Sequence, residues 1–313
     1  MSLHVFANIV TPSGTAANNR GETEGNTTTL QKLIWYGDSH TSVSAEAIRF
    51  ALRRLLHDQE TQGTNRRWSE NANANVWQEP DFGAYADANH RGFIDDDLLG
   101  YMSAEAAREE AGETRGRATV RRAVLEMTRA VSLTPWPGDM VFNAASPGAT
   151  PSAARGEGVN PVPYGAEVHA TRYQYGLAMT PKRLRDPSRA IKALRCLATL
   201  GEVAGNQGRF LFDFSPDSII LRLTDDPAPR LLYCFTTEDD GKTVTVTDDF
   251  NNRVGKNGAD VLGAELIIGG SFAATDAAKQ LEKKGAKLFP HQVKAAVEEA
   301  CGLINNHEDV KGK

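Results

Sequence analysis

Cysteine is scarce in this 313-residue chain: Cys196, Cys234 and Cys301 are an odd number, far apart, and no C-x-x-C occurs. That excludes a disulfide framework and a paired zinc-ligand set, and leaves reduced structural thiols as the reading. No stretch approaches the ~20 apolar residues of a membrane span, and no charged segment followed by an apolar run and a small-residue cleavage site opens the chain. The protein is therefore expected to be soluble and cytoplasmic, with no membrane contact. Also missing are a Walker loop, an HExxH pair and a nucleophile elbow. His4, His40, His57, His90, His169, His291 and His307 are scattered. Neither an enzyme nor a bound metal or cofactor is expected on these grounds. A basic excess is absent as well, since the formal net charge is −5, which by the simple rule counts against nucleic acid.

What is present is a 40% hydrophobic content, enough for two modest domains or for one domain with a large insertion. Charge is segregated. Arginines gather at 49, 53 and 54, at 66 and 67, and at 115, 117, 121, 122 and 129, whereas acids cluster at 95–97, 109–110 and 238–240. Such a surface holds a polyanion on one face and meets basic partners on another.

LHVFANIV predicts a strand over residues 3–11. The loop NNRGETEGNTTTL at 18–30 follows, and then VSAEAIRFALRR, whose Ile48, Leu52 and Leu55 recur at helical spacing after a cap at Ser42 or Ser44. Arg49 and Arg53, four apart, share another face of that helix, with Phe50 flanking the apolar stripe. Residues 59–144 lose this regularity and read as an insertion, with the secondary structure of 117–133 left open. Asp95, Asp96 and Asp97 read as a turn or cap before LLGYM, because three consecutive side chains diverge too much for one metal. Residues 148–165, rich in proline and glycine, read as a flexible or hairpin-like excursion. A strand in AEVHATRYQYGLAM, a helix opened by Asp186 and Pro187, strands at FLFDF, IILRL, LLYCF and TVTVTDD, and helices over 276–284 and 290–303 complete the chain. Without its insertion the skeleton is strand, helix, strand, strand, helix, strand, the split βαβ order of ferredoxin-like and RNA-recognition folds, though the aromatic signature of an ordinary RNA-recognition module is missing.

The loop before the helix offers backbone N–H groups, Asn18, Asn19, Asn26, Thr28 and Arg20, and the helix adds its N-terminus and its arginines, a combination suited to phosphate. The bland alternative for the loop asparagines is that they satisfy turns. For Arg49 and Arg53 it is a helix face paired with acidic neighbours. Gly269 and Gly270 permit either close backbone approach to a ligand or a tight turn.

The loop Asn18-Asn19-Arg20-Gly21-Glu22, Gly25-Asn26, the VSAEAIRFALR helix, DDLLGYM and GAEVHATRYQYGL, in this order and spacing, resemble the CRISPR-associated Cas-seven family in its DevR autoregulator branch. The resemblance implies an α+β fold: a modified RNA-recognition (ferredoxin-like) palm at 1–58 and 166–313, a fingers insertion at 59–144 and a thumb hairpin at 145–165. It implies a non-catalytic backbone subunit of a type I, I-B-like Cascade complex that polymerises along CRISPR RNA and presents it to target DNA. Implied partners are further copies of itself, the Cas-five, large and small subunits, and in a transposon-associated setting transposition proteins. Arg20, Ser44, Arg49 and Arg53 match the family's loop basic residue, its serine and its two basic helix positions. Arg115, Arg117, Arg121 and Arg122 would line the RNA channel from the fingers, and Arg155, Val159 and Val162 would contact RNA from the thumb. In related backbone subunits of type III complexes a loop aspartate before this helix cleaves target RNA, and Asp38 lies in that neighbourhood. RNA cleavage through Asp38, and DNA binding as an autoregulator, are the two alternatives.

Overall fold

The computed structural model describes residues 2–18, 23–87, 90–104, 108–110, 113–115, 118–144, 146–149, 155–157, 163–205, 207–238 and 241–311. Its frame is a mixed sheet in the order Lys287–Pro290, Leu266–Gly270, Ser218–Thr224, His4–Val10, Tyr173–Met179, Ala130–Ser132, Asp38–Val43 and Lys32–Trp35, with Glu126–Met127 also paired to Tyr173–Met179. His4–Val10 is antiparallel to both its neighbours, and only the Leu266–Gly270 pairing with Lys287–Pro290 is parallel within this sheet. Side chains alternate across a strand, so Val5, Ala7 and Ile9 enter one core and Phe6 and Val10 the other.

The first core is closed by the helices Ala45–His57, Arg189–Leu197 and Val293–Asn306. The second is closed by the Phe235–Glu238 and Thr243–Val246 hairpin, the helix Asp248–Arg253 and the helix Asp276–Lys283, with Phe235, Phe250 and Phe272 at its centre. Both faces of the central strands are therefore covered by protein, while the edge strand Lys32–Trp35 leaves Ile34 exposed. Neither face of the central strands is bare for bases to stack on, the arrangement an ordinary RNA-recognition module needs.

Several expected elements differ from the structure. FLFDF makes no strand: Phe212 and Phe214 are buried while Leu211 and Asp213 are exposed, a two-residue alternation produced by packing on Tyr173 and Tyr175 without a ladder partner. The stretch between the polar loop and the arginine helix is a hairpin, Lys32–Trp35 with Asp38–Val43, turned at Tyr36 and Gly37, both at positive φ. Ala130–Ser132 joins the central sheet, so the insertion expected to run to 144 gives way to the sheet earlier. The excursion stands on a longer stem, Met140–Ala144 paired with Pro163–Glu167. The last long helix begins at Val293 rather than 290, because Pro290 still belongs to an edge strand.

The helix Ala45–His57 is capped by Ser44, whose hydroxyl accepts from the Ala47 N–H at 3.2 Å. Ile48, Ala51, Leu52 and Leu56 bury its inner face; Leu55 is only partly covered. Beside it the acidic triplet forms the first turn of the short helix Ile94–Leu99, with all three aspartates buried. Asp97 accepts from Arg121 at 2.8 Å, from Arg189 at 3.0 Å and from the Arg185 and Asp186 N–H groups at 2.9 and 3.2 Å. Arg189, itself fully buried, also grips Glu60 with two bonds of 3.0 and 2.7 Å. These charge-assisted bonds tie the insertion to the body. Gly100 ends the acidic helix at φ +65, where a Cβ would lie 2.3 Å from the Arg121 carbonyl oxygen, so only glycine lets the following hairpin close. Among the described residues no helix is long and apolar enough to cross a membrane. All three cysteines are free and buried, and burial pushes the Cys196 and Cys301 thiols up to about 11.

Candidate functional site

The outer face of Ala45–His57 and two hairpins of the insertion enclose a cleft of about 880 Å³. The helix contributes Arg49, Phe50 and Arg53. Arg66 and Trp77 come from the hairpin Arg66–Ser69 with Ala74–Trp77, and Tyr101, Met102, Val120 and Arg121 from Tyr101–Ala104 with Ala118–Arg121. Phe50, Met102 and Val120 are 42%, 69% and 63% exposed, apolar surface that the protein does not cover and that lies among four guanidinium groups. Phe82 stacks on Tyr101 at 3.7 Å and meets Trp77 edge-on at 5.1 Å, which stiffens the wall.

The arginines are not equivalent. Arg49 donates to the Leu99 carbonyl at the end of the acidic helix and, among the described residues, forms no ion pair. Burial, and after it repulsion from Arg53, lowers its pKa from the usual arginine value; the charge of an incoming phosphate would offset both. Arg53 is tied to Asp95 at 3.2 Å, and that carboxylate is only 1% exposed. Burial still lowers the Arg53 pKa, against the pull of Asp95. Arg121 pairs with Asp97 and lies 4.3 Å over the Tyr85 ring. Asp95 further accepts from the Asn65 and Arg66 N–H groups at 2.8 and 3.2 Å. Asp96, with burial as the main cause and Asp95 the second, is pushed up to about 7. Glu46 also lines the cleft at the start of the helix, and its own backbone N–H is the first cause that holds its carboxyl below the usual range. The helix N-terminus is thus already balanced by a carboxylate, and the anion-attracting groups of the cleft are its arginines.

Of the described residues of the polar loop, Asn18 lines the cleft, and Ser44 lines it from the start of the helix, but the loop's side chains are engaged differently from the helix arginines. The Asn18 side chain donates to the Ser42 carbonyl and is buried. Asn26 donates to the Pro163 carbonyl, and Thr27–Thr28 pairs in parallel with Gly165–Ala166 at the stem of the excursion. Ser42 is buried, and its hydroxyl accepts from Arg129 at 3.3 Å; Ser44 is the helix cap. Asn19, Arg20, Arg117, Val159 and Val162 lie outside the described residues, and for Arg115 the backbone alone is described, in the strand Glu113–Arg115. Arg122 is exposed and paired with Glu126 at 2.7 Å, off the cleft. Arg155 pairs with Glu157 at 3.1 Å, both exposed. Gly269 and Gly270 face protein: a Cβ would lie 2.5 Å from the Ala296 Cβ at the first and 2.0 Å from the Asp217 carbonyl oxygen at the second, so the close approach they permit is to a helix and a turn. Asp38 is exposed at the tip of its hairpin and does not line the cleft. Among the described residues no group of three His, Cys, Asp or Glu side chains is placed to hold a metal.

Phe50, Arg66, Trp77, Tyr101, Met102 and Val120 were not singled out by sequence as site residues. For Phe50 a signal existed: a large aromatic beside, not within, the apolar stripe of its helix. The others lie in a segment without periodicity, and only the two hairpins bring them to the helix.

The family model described as CRISPR-associated negative auto-regulator DevR/Csa2 matches residues 13–189. A protein of Myxococcus xanthus (strain DK1622) described as CRISPR-associated protein Cas7/Cst2/DevR is 55% identical over 303 residues, covering 96% of this chain and 97% of that protein. A chain of a solved CRISPR RNA-guided surveillance complex superposes with a TM-score of 0.52 at 17% identity, covering 95% of this chain and 99% of its own length. A chain of such a complex described as pre-nicking gives 0.52 at 13% identity, with 96% and 100% covered. At those identities the structural likeness speaks for the fold.

Proposed function

Because the chain belongs to the DevR/Csa2 family of CRISPR-associated proteins, we propose that it is a non-catalytic backbone subunit that binds CRISPR RNA in a type I Cascade complex. The observation that carries this reading is the cleft on Ala45–His57, where Arg49 stands without an ion pair among the described residues beside exposed Phe50, Met102 and Val120. Single strands are held in this way, by cations along the phosphates and apolar or aromatic rings under the bases, with little reading of base edges. A guide holder must accept any spacer sequence, and sequence is then read by base pairing.

In this reading the four strands Ser218–Thr224, His4–Val10, Tyr173–Met179 and Ala130–Ser132, with the helices Ala45–His57 and Arg189–Leu197, form the RNA-recognition-like palm. The hairpins between residues 59 and about 125 are the fingers, and the excursion on the Met140–Ala144 and Pro163–Glu167 stem is the thumb, with exposed Phe142 on its surface. Because both faces of the central strands are covered, RNA runs along the helix and fingers instead of over the sheet. Further copies of the chain, the Cas-five, large and small subunits and guide-paired target DNA are the proposed partners. A non-catalytic role is preferred over RNA cleavage because Asp38 stands at a hairpin tip off the cleft. The family description as a negative auto-regulator supports promoter binding as the second reading.

The test is purification of the full chain with its complex and analysis of copurifying nucleic acid. Repeat-flanked RNA lost on Arg49→Ala is the expected result. Cutting of complementary RNA in magnesium, abolished by Asp38→Ala, would establish cleavage instead, and tight promoter DNA binding by guide-free protein would establish the autoregulator.

A further inference from the structure

Beside the main cleft lies a second cavity of about 280 Å³. Phe50, Arg53 and Arg66 line both, so the two share a wall. The smaller one adds Arg54, Arg67 and Trp68, and among the described residues no aspartate or glutamate lines it. Of its four guanidinium groups, Arg53 is paired with Asp95 and Arg67 donates to the Thr64 and Gln62 carbonyls, which leaves Arg54 and Arg66 to face the volume, in a chain whose formal net charge is −5. Arg66 forms no ion pair among the described residues, and Arg54 has only a surface pair with Glu202, both side chains more than half exposed, which holds it weakly. His57 also lines the cavity; its Nδ1 accepts from the Thr64 N–H at 3.2 Å, leaving Nε2–H as a further donor. The cavity therefore offers donors and positive charge.

It also offers a ring. In the hairpin, Arg66 stands opposite Trp77 and Trp68 opposite Asn75. Residues two apart on a strand share a face, as do directly opposed residues, so Arg66, Trp68, Asn75 and Trp77 occupy one surface. Trp77 reaches the main cleft, Trp68 the smaller cavity and Arg66 both. Trp68 is 51% exposed, whereas Trp77 is half-buried, with Phe82 edge-on at 5.1 Å and the Arg66 guanidinium 5.5 Å over its ring. Diagonal neighbours across a pair of strands are about 7–8 Å apart, roughly twice the ~3.4 Å spacing along a stacked nucleic-acid strand. Bases seated on the two rings cannot stack directly on each other.

We propose that this hairpin face is a stacking platform for single-stranded nucleic acid, with one base against Trp77 in the main cleft, an unstacked base against Trp68 in the smaller cavity, and the phosphate of the latter on Arg54 and Arg66. The proposal rests on the reading of the main cleft as a single-strand groove. The nucleotide on Trp68 comes either from the strand in the main cleft or from a second strand, and its chemistry is the same in both cases.

The test follows the intrinsic fluorescence of the full-length protein and of Trp68→Phe as a uridine oligonucleotide is added; the difference isolates Trp68. The expected result is quenching that depends on Trp68, and a 5- to 10-fold weaker affinity in Trp68→Ala with an unchanged thermal midpoint. Quenching with RNA alone assigns the site to the same strand. Quenching that begins only when non-complementary single-stranded DNA is added to the RNA-loaded protein assigns it to a second strand. RNA binding without Trp68-dependent quenching in either arm overturns the platform and leaves the main cleft standing. Failure to bind RNA at all overturns the main cleft, and the platform with it.

Discussion

The polar loop at residues 18–28 and the outer face of Ala45–His57 carry similar hydrogen-bond donors, yet the fold uses them in opposite ways. In the loop, the Asn18 and Asn26 amides are engaged by the carbonyls of Ser42 and Pro163, and Thr27–Thr28 is a strand of the thumb stem. On the helix, Arg49 keeps most of its donors and stands beside uncovered apolar surface. Donor chemistry alone does not make a binding site; what matters is whether the protein has already satisfied it. The same contrast divides the helix itself, because Arg53 is bound to a buried carboxylate and Arg49 is not.

The largest effect lies beneath the cleft. Asp97→Ala leaves Arg121 and buried Arg189 short of a partner, and should lower stability by about 3–5 kcal/mol in urea unfolding, taking RNA binding with it through loss of the fold. Asp96 gives a pH test of the same hub. Its folded pKa of about 7 lies above the ordinary 3.8, so the folded state retains a proton that the unfolded chain releases between these values. Its contribution is full below about pH 4 and is lost as pH rises through 7, by up to about 4 kcal/mol. Asp96→Asn should flatten that fall and exceed the parent in stability at pH 8, as read from urea midpoints.

The two helix arginines sharpen the comparison. Arg53→Ala should cost about 2 kcal/mol of stability by stranding Asp95. Arg49→Ala should lower stability by only about 1 kcal/mol, through the lost bond to the Leu99 carbonyl, and weaken RNA binding by about 2 kcal/mol. Phe50→Ala, read in the same binding assay, should cost about 1–2 kcal/mol if a base rests on the ring. The smallest effect is expected from the loop: Asn26→Ala should change RNA affinity less than 3-fold and stability by under about 1 kcal/mol, and a loss matching that of Arg49→Ala would erase the distinction drawn between the two regions.

Local patterns explain what was legible. The first strand, the arginine helix with its Ser44 cap and the helix Asp276–Lys283 announce themselves through spacing and caps. FLFDF misleads because burial alternates without pairing, and the hairpin Lys32–Trp35 with Asp38–Val43 is missed because its turn, Tyr36-Gly37, places a bulky aromatic at positive φ. The family resemblance pointed to Arg49 and Arg53 together. Their difference depends on Asp95, 42 positions further along the chain, and no local pattern encodes that pairing. For the same reason the ring-lined wall of the cleft stayed hidden until the hairpins of the insertion were folded against the helix.

The central claim is most directly tested by measuring the affinity of parent and Arg49→Ala protein for a single-stranded RNA by anisotropy across a salt series. The account predicts steep weakening with salt for the parent and, for the variant, a 10- to 30-fold lower affinity with the log–log slope reduced by about 0.7, one phosphate contact fewer. Identical affinities and slopes for the two proteins, both folded, would contradict it.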